Sequence, residues 1–449
     1  MLTRILSSAR SMTRGNMERS IKRERRRLSE NRPLWAMTMR RGDFSAMSKG
    51  QNKSVKWLSR AIAAIVTAML STAVAQASTD FAILDRGLNL DWWVSATPVP
   101  PDFSASQLNE IHAAGFRHLR VPLNPHSVAK ESEGNNFTIC GPDAPISGYL
   151  QSSIPAFAHA GLAMVLVIEP SHDPAFLNWL VLDRSGRRLA DLVGCLITNA
   201  EKVDMGYAQS NMAFGLMNEP RTDAALWYPA QTNAIRLLKA EHAGAKLIAT
   251  PVFPTGVAAI LAMPSLSVPG VAVELHYYEP YEFTFQGDPH QGPWMATAHG
   301  IGFGTARARK GCDAEVASGQ GGPDSCLHCA DDPNGQLCAS IRKHDLDGFG
   351  RARIAASFKQ IVAWAGGTPV YLGEYGVHMD WDNEHGADRV DAAEWLRTVT
   401  SEARQAGFGA AIYELGCGFG LVRTRICNKD MLARSKTLDL DPMLVKAVQ

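Results

Sequence analysis

Phe214-Gly215-Leu216-Met217-Asn218-Glu219-Pro220-Arg221 starts as an apolar run and ends in an amide, a carboxylate and a proline. Pro220 has no N–H to donate and a fixed φ, so a central strand must stop near it. The apolar half therefore reads as a buried strand, with Asn218 and Glu219 at its carboxyl end. In a parallel barrel that end is the mouth, where reacting groups are placed. A surface loop with a polar turn would look the same in isolation, so the rest of the chain has to decide.

Seven other apolar runs flank this one, at 87–90, 116–123, 162–168, 246–252, 271–275, 369–372 and 409–413. Helical patterns are predicted between most of them, at about 104–114, 151–159, 224–241, 351–364 and 387–406. Such alternation argues for βαβ units and a parallel sheet. Eight units predict a (β/α)8 TIM barrel, one catalytic domain over 78–449. A Gly-rich, Cys-rich insertion follows the sixth strand, at about 285–348. An open doubly wound sheet is the alternative, but no Gly-rich phosphate loop follows the first strand. The polar residues also favour the barrel. Arg120, His172, Asn218, Glu219, His276, Tyr278 and Glu374 all stand at or just past the carboxyl end of a run, and barrel closure would gather them on one face.

Two carboxylates, Glu219 after the fourth run and Glu374 after the seventh, would then meet across the mouth. Cleavage of a glycosidic bond needs such a pair. One carboxyl protonates the leaving oxygen, and the other attacks the sugar or activates water. Glu219 has no obvious cation nearby in sequence, which suits the acid. Arg120 and Tyr278 are placed to approach Glu374, which suits the nucleophile. His172, His276 and Asn218 suit hydrogen bonds to sugar hydroxyls or to the carboxylates.

These motifs resemble glycoside hydrolase family 5, the retaining cellulase-type (β/α)8 barrels. The matching residues are Arg120-Val-Pro, Asn218-Glu219-Pro220, His276-Tyr277-Tyr278 and Gly373-Glu374-Tyr375-Gly376, with the longer stretch HYYEPYEFTFQG at 276–287. The resemblance implies Glu219 as acid/base and Glu374 as nucleophile. It places Arg120, His172, Asn218, His276 and Tyr278 around them. It implies cleavage of a β-1,4-glucan or related polysaccharide without cofactor or metal. A mannanase, an exo-β-glucosidase and a non-catalytic polysaccharide-binding barrel are the alternatives. The family usually carries Trp at the end of the eighth strand, where this chain has Tyr413 before Glu414. Candidate sugar-stacking or hydroxyl-binding residues are Trp92, Trp93, Trp294, Trp381, Tyr413, Phe419 and Glu414.

Composition agrees with a globular enzyme: 449 residues, 46% hydrophobic, 20% charged, net charge +1. A balance so near neutral gives no reason to expect nucleic acid or a membrane surface as partner. The expected partner is a polysaccharide or oligosaccharide, taken up by a monomer. Residues 1–46 are Arg-rich and aperiodic, and are expected to be an extension with no core of its own, with Met47 as the true start. Lys53, Lys56 and Arg60, the apolar run 61–74 and Ala75-Gln76-Ala77 form a signal peptide over 47–77, too short for a comfortable membrane span. Secretion or periplasmic export follows. All eight Cys lie beyond it, and an even number in an exported chain predicts disulfides. Cys417 and Cys427 are near enough in sequence to pair locally. Cys326-x-x-Cys329, with His328 between, leaves a zinc-bearing module as the competing reading of the insertion.

Overall fold

The structure, a computed structural model, describes residues 81–132, 136–141, 143–171, 173–296, 298, 301–303, 349–381 and 386–449. The expected extension and signal peptide, His172, and Cys312, Cys326, His328, Cys329 and Cys338 of the insertion lie outside these residues.

Eight parallel strands close into a barrel. They are β1 (Gly87–Asn89), β2 (His118–Leu123), β3 (Ala163–Ile168), β4 (Met212–Gly215), β5 (Leu247–Ala249), β6 (Val271–His276), β7 (Val370–Glu374) and β8 (Gly409–Ile412). β1 pairs with both β2 and β8, so the sheet has no free edge. The doubly wound alternative is thereby excluded.

Burial on both faces explains the nearly unbroken apolar runs. β3 reads Ala-Met-Val-Leu-Val-Ile and is buried throughout. Side chains alternate between the barrel interior and the helical layer. Val165, Ala213, Ile248, Ala272, Tyr371 and Ala411 form the inner cluster, with Phe81 and Leu84 from ahead of β1 packed on it. Met164, Leu166, Phe214, Leu247, Val271, Val273 and Leu372 face outward, in the larger core shared with the helices.

The helices sit where periodicity and caps place them. Ser104 and Gln107 make a reciprocal capping box at the start of helix Ala105–Ala113. Asp223 caps Ala224–Glu241 through the Ala225 N–H, and Asp388 caps Arg389–Gln405. The segment between β2 and β4 is richer than the sequence pattern suggests. A hairpin (Ala129–Ser132 with Asn136–Ile139) follows β2, and two helices, Pro174–Leu182 and Arg187–Asn211, join β3 to β4. A disulfide, Cys140–Cys195, with a Cα–Cα distance of 5.7 Å, fastens the end of that hairpin to the longer helix. A second joins Cys417 to Cys427, as their spacing suggests.

Candidate active site

The loops beyond the strand ends enclose a cleft of about 550 Å³. Arg120, Asn218, Glu219, His276, Tyr278 and Glu374, each expected from sequence, all line it.

Arg120 is the centre of this group. It lies on β2, only 2% exposed, and points into the barrel. Its Nε donates to Glu274 Oε1 at 3.0 Å, and its Nη2 lies 2.9 Å from the same oxygen. Nη1 donates to Glu374 Oε1 at 3.0 Å and to Asn89 Oδ1 at 2.9 Å, and Nη2 donates to Asn218 Oδ1 at 2.6 Å. A planar guanidinium with five donors in a fixed fork suits such a hub. Burial works against its charge, but Glu274 and Glu374 hold it firmly protonated. Burial likewise penalises the Glu274 carboxylate. Arg120 outweighs that penalty, with help from His276 and Thr250, and the pKa falls to about 2.

Glu274 comes from within β6, directly beside the backbone of Gly373 on β7. A Cβ on Gly373 would stand 2.0 Å from Glu274 Oε1, so the glycine before Glu374 makes room for the partner of Arg120. Asn89 ties the same region from β1. Its amide Nδ2 donates to the carbonyls of Gly373 (2.8 Å), Ile412 (3.2 Å) and Ala411 (3.3 Å).

Glu374 ends β7 and takes two strong donors, Arg120 at Oε1 and the Tyr278 hydroxyl at Oε2, 2.9 Å away. Burial, reinforced by the Glu374 charge, pushes the Tyr278 phenol well above its ordinary pKa, so it remains a donor. His276 lies between the two carboxylates, with Nδ1 2.9 Å from Glu219 Oε1 and 3.5 Å from Glu374 Oε2. Burial disfavours the imidazolium. Glu374, Glu219 and Glu274 overcome this and raise its pKa to about 10. Glu219 is therefore beside a cation after all. The sequence hid this, because the two residues are 57 positions apart.

Glu219 has φ +34°, a left-handed conformation that is uncommon outside glycine. Holding it there costs about 1–3 kcal/mol, a strain that tends to occur at functional positions. Asn218 is locked on both sides, with its oxygen on Arg120 and its Nδ2 donating to Glu169 Oε2. Burial raises the pKa of Glu169; hydrogen bonds from Ser171 counter it, and the charges of Glu219 and Glu374 add to the rise.

One carboxylate oxygen each of Glu219 and Glu374, and a ring nitrogen of His276, all lie within 4.8 Å of one another. The fold is similar to that of endoglucanases. One endoglucanase aligns over 83% of this chain and 99% of its own, at TM-score 0.58 and 17% identity. Endoglucanase Cel5A from the hyperthermophile Thermotoga maritima aligns over 84% and 99%, at TM-score 0.59 and 19% identity. The cellulose synthase subunit Z of Clostridioides difficile aligns over 81% and 99%, at TM-score 0.56 and 19% identity. At these identities the likeness is one of fold. No protein-family model and no curated protein sequence matches the chain.

Tyr413 and Glu414 also line the cleft. Tyr413 packs edge-on to Phe419, 5.5 Å between centroids, and to Tyr278 at 6.4 Å. Glu414 is buried and accepts the Phe419 N–H at 3.3 Å. Trp93 and Trp381 do not line the cleft, contrary to expectation. Both are 8% exposed. The Trp381 indole N–H donates to the Gly418 carbonyl at 2.9 Å, and Arg389 lies over its ring at 4.8 Å. Trp92 begins the turn Trp92–Ala96, and Trp294 lies in the short helix Pro293–Ala296. His172 lies outside the described residues.

Glu274, Asn89 and Glu169 were not singled out from sequence. For Glu274 a signal existed. It stands two residues before His276 in a strand, so the two share a face. Beside the cleft-lining Glu414 and Cys417, Asp91 is buried and accepts the Gly416 N–H at 3.1 Å; burial pushes its carboxyl up to about 7. Its neighbour Cys417 is spent in a disulfide and offers no thiolate to a metal.

Proposed function

We propose that the protein is a retaining glycoside hydrolase of the family 5 type, cleaving β-1,4-linked glucan or a related polysaccharide. The closeness of Glu219 and Glu374 carries this reading. Carboxyls about 5–5.5 Å apart favour direct attack on the sugar, whereas about 6.5–9.5 Å leaves room for a water. A non-catalytic binding barrel has no use for two carboxylates held so near each other.

In the mechanism that fits, Glu374 attacks the anomeric carbon while Glu219 gives its proton to the departing oxygen. The bond to the leaving sugar breaks and an ester to Glu374 forms. Glu219 then takes a proton from water, which attacks the same carbon and frees the carboxylate. Arg120 and Tyr278 orient Glu374 and spread its charge. The contacts suit these roles: Arg120 and Tyr278 both donate to Glu374, whereas among the described residues Glu219 meets only the His276 ring, at its Oε1. No cofactor enters.

Solved structures of T. maritima Cel5A hold cellobiose and mannotriose. That breadth keeps a β-mannan as the second substrate class. Export, with cleavage after Ala77, agrees with two disulfides in the barrel domain. A mature N-terminus at Ser78 is the expected result of sequencing the exported protein.

Azide tests the two roles. Glu374→Ala should be rescued to an α-glycosyl azide, inverted relative to substrate. Glu219→Ala, given an activated aryl glycoside, should yield the β-azide. Exchanged outcomes would reverse the assignment, and full activity in either variant would remove it.

A further inference from the structure

Arg221 and Phe253 form an unusual pair at the edge of the cleft. Arg221 comes two residues after Glu219, and Phe253 follows β5. The Phe253 N–H donates to the Pro220 carbonyl at 3.1 Å, so the loop carrying Phe253 is fastened to the loop carrying Glu219. The guanidinium carbon stands 4.0 Å from the centroid of the Phe253 ring. Both side chains line the cleft, and Phe253 is 43% exposed. Among the described residues Arg221 has no carboxylate partner. A stacked guanidinium keeps its in-plane N–H groups directed outward, and the ring restricts its rotamers. The pair is therefore a pre-positioned set of donors at the rim of the site.

Its side of the cleft follows from the chemistry. The leaving sugar departs on the side of the acid that protonates it. Glu219 stands on the side of β4 and β5, where Arg221 and Phe253 are. Tyr413, Glu414 and Phe419 occupy the other side, next to Tyr278 and Glu374. We propose that Arg221, held by Phe253, donates hydrogen bonds to the hydroxyls of the first leaving-group sugar, and so sets specificity on that side. This rests on the glycosidase reading with Glu219 as acid.

The test compares substrates that differ only in the leaving group: 4-nitrophenyl β-cellobioside, whose leaving group is no sugar, and cellotetraose, with the manno-configured pair run alongside. Both substrates of a pair pass through the same glycosyl-enzyme, so the ratio of their kcat/KM values isolates the leaving side. A charged donor to a hydroxyl contributes about 1.5–3 kcal/mol, a ten- to hundredfold effect. Arg221→Met should lower the ratio of oligosaccharide to aryl glycoside at least tenfold. Phe253→Ala, which frees the guanidinium, should lower it less, and Arg221→Lys should fall between wild type and Arg221→Met. A ratio within threefold of wild type in Arg221→Met overturns the proposal while the glycosidase reading stands. Wild-type protein that cleaves none of the four compounds overturns both. A variant that merely misfolds lowers both rates together and leaves the ratio at the wild-type value, which also counts against the proposal when the remaining active fraction is assayed.

Discussion

Replacing Glu274 by Gln removes one negative charge from the barrel interior with almost no change in shape. Glu274 is 1% exposed, so solvent screens the loss very little. Its carboxyl pKa falls from 4.5 to about 2 on folding. At 1.36 kcal/mol for each tenfold change in proton affinity, that fall is worth about 3 kcal/mol. Breaking a buried ion pair by removing one partner costs about 3–5 kcal/mol, so two routes agree. The sign sets the pH window. A depressed carboxyl pKa stabilises the fold fully above about pH 4.5, and that stabilisation fades as pH falls through about 2. Urea unfolding of wild type and Glu274→Gln at pH 7 should differ by about 3 kcal/mol. At pH 3 the difference should shrink to less than half of its value at pH 7, because wild type has by then lost most of the advantage. Equal differences at the two pH values, or none at pH 7, would refute the view that Glu274 acts as the charged anchor of Arg120. Activity should fall as well, since Arg120 would no longer be held against Glu374.

Asp91 has the opposite sign. Its pKa is raised by burial, so its contribution is lost as pH climbs from 3.8 through about 7; His276, raised to about 10, adds a further decline above pH 6.5. Thermal stability should therefore decrease from mildly acidic to alkaline pH, and Asp91→Asn should flatten the part below pH 7. Reducing Cys417–Cys427, which closes a loop with a sequence separation of 10, should cost about 2.5–3 kcal/mol by chain entropy. Since Cys417, Gly418, Phe419 and Arg425 all line the cleft, KM should rise before the barrel melts, as substrate titrations with and without reductant would show. Glu219→Gln and Glu374→Gln should each lose about 10²–10⁴-fold in kcat with unchanged circular dichroism.

Much of the site was legible because barrel closure makes a simple rule: polar residues at the ends of apolar runs converge. Arg120, Asn218, Glu219, His276, Tyr278 and Glu374 obey it, and the structure brings them together. What escaped depends on parity and packing. Glu274 sits inside an apolar run, and only its period-two relation to His276 shows that it faces the centre. Asn89 lies inside the run 87–90, and nothing marks it until its register with Arg120 is known. Trp93 and Trp381 show the converse. An aromatic in a loop reads alike whether it faces a sugar or packs into the protein, as Trp93 does in the core and Trp381 does beneath Arg389. The longer helix between β3 and β4 does show regular apolar spacing in the sequence, at Leu189, Leu192, Val193 and Leu196.

Arg120 reaches residues on or just past four other strands, β1, β4, β6 and β7, and so connects five of the eight staves at one atom cluster. It works as a gauge of roundness. If heat or a distant core substitution makes the barrel slightly oval, some of those five spans lengthen while others shorten, and one rigid fork cannot follow both. The cluster of Glu219, His276 and Glu374 should then fall out of alignment while the barrel is still folded, so that loss of the proposed turnover warns of unfolding several degrees ahead of it.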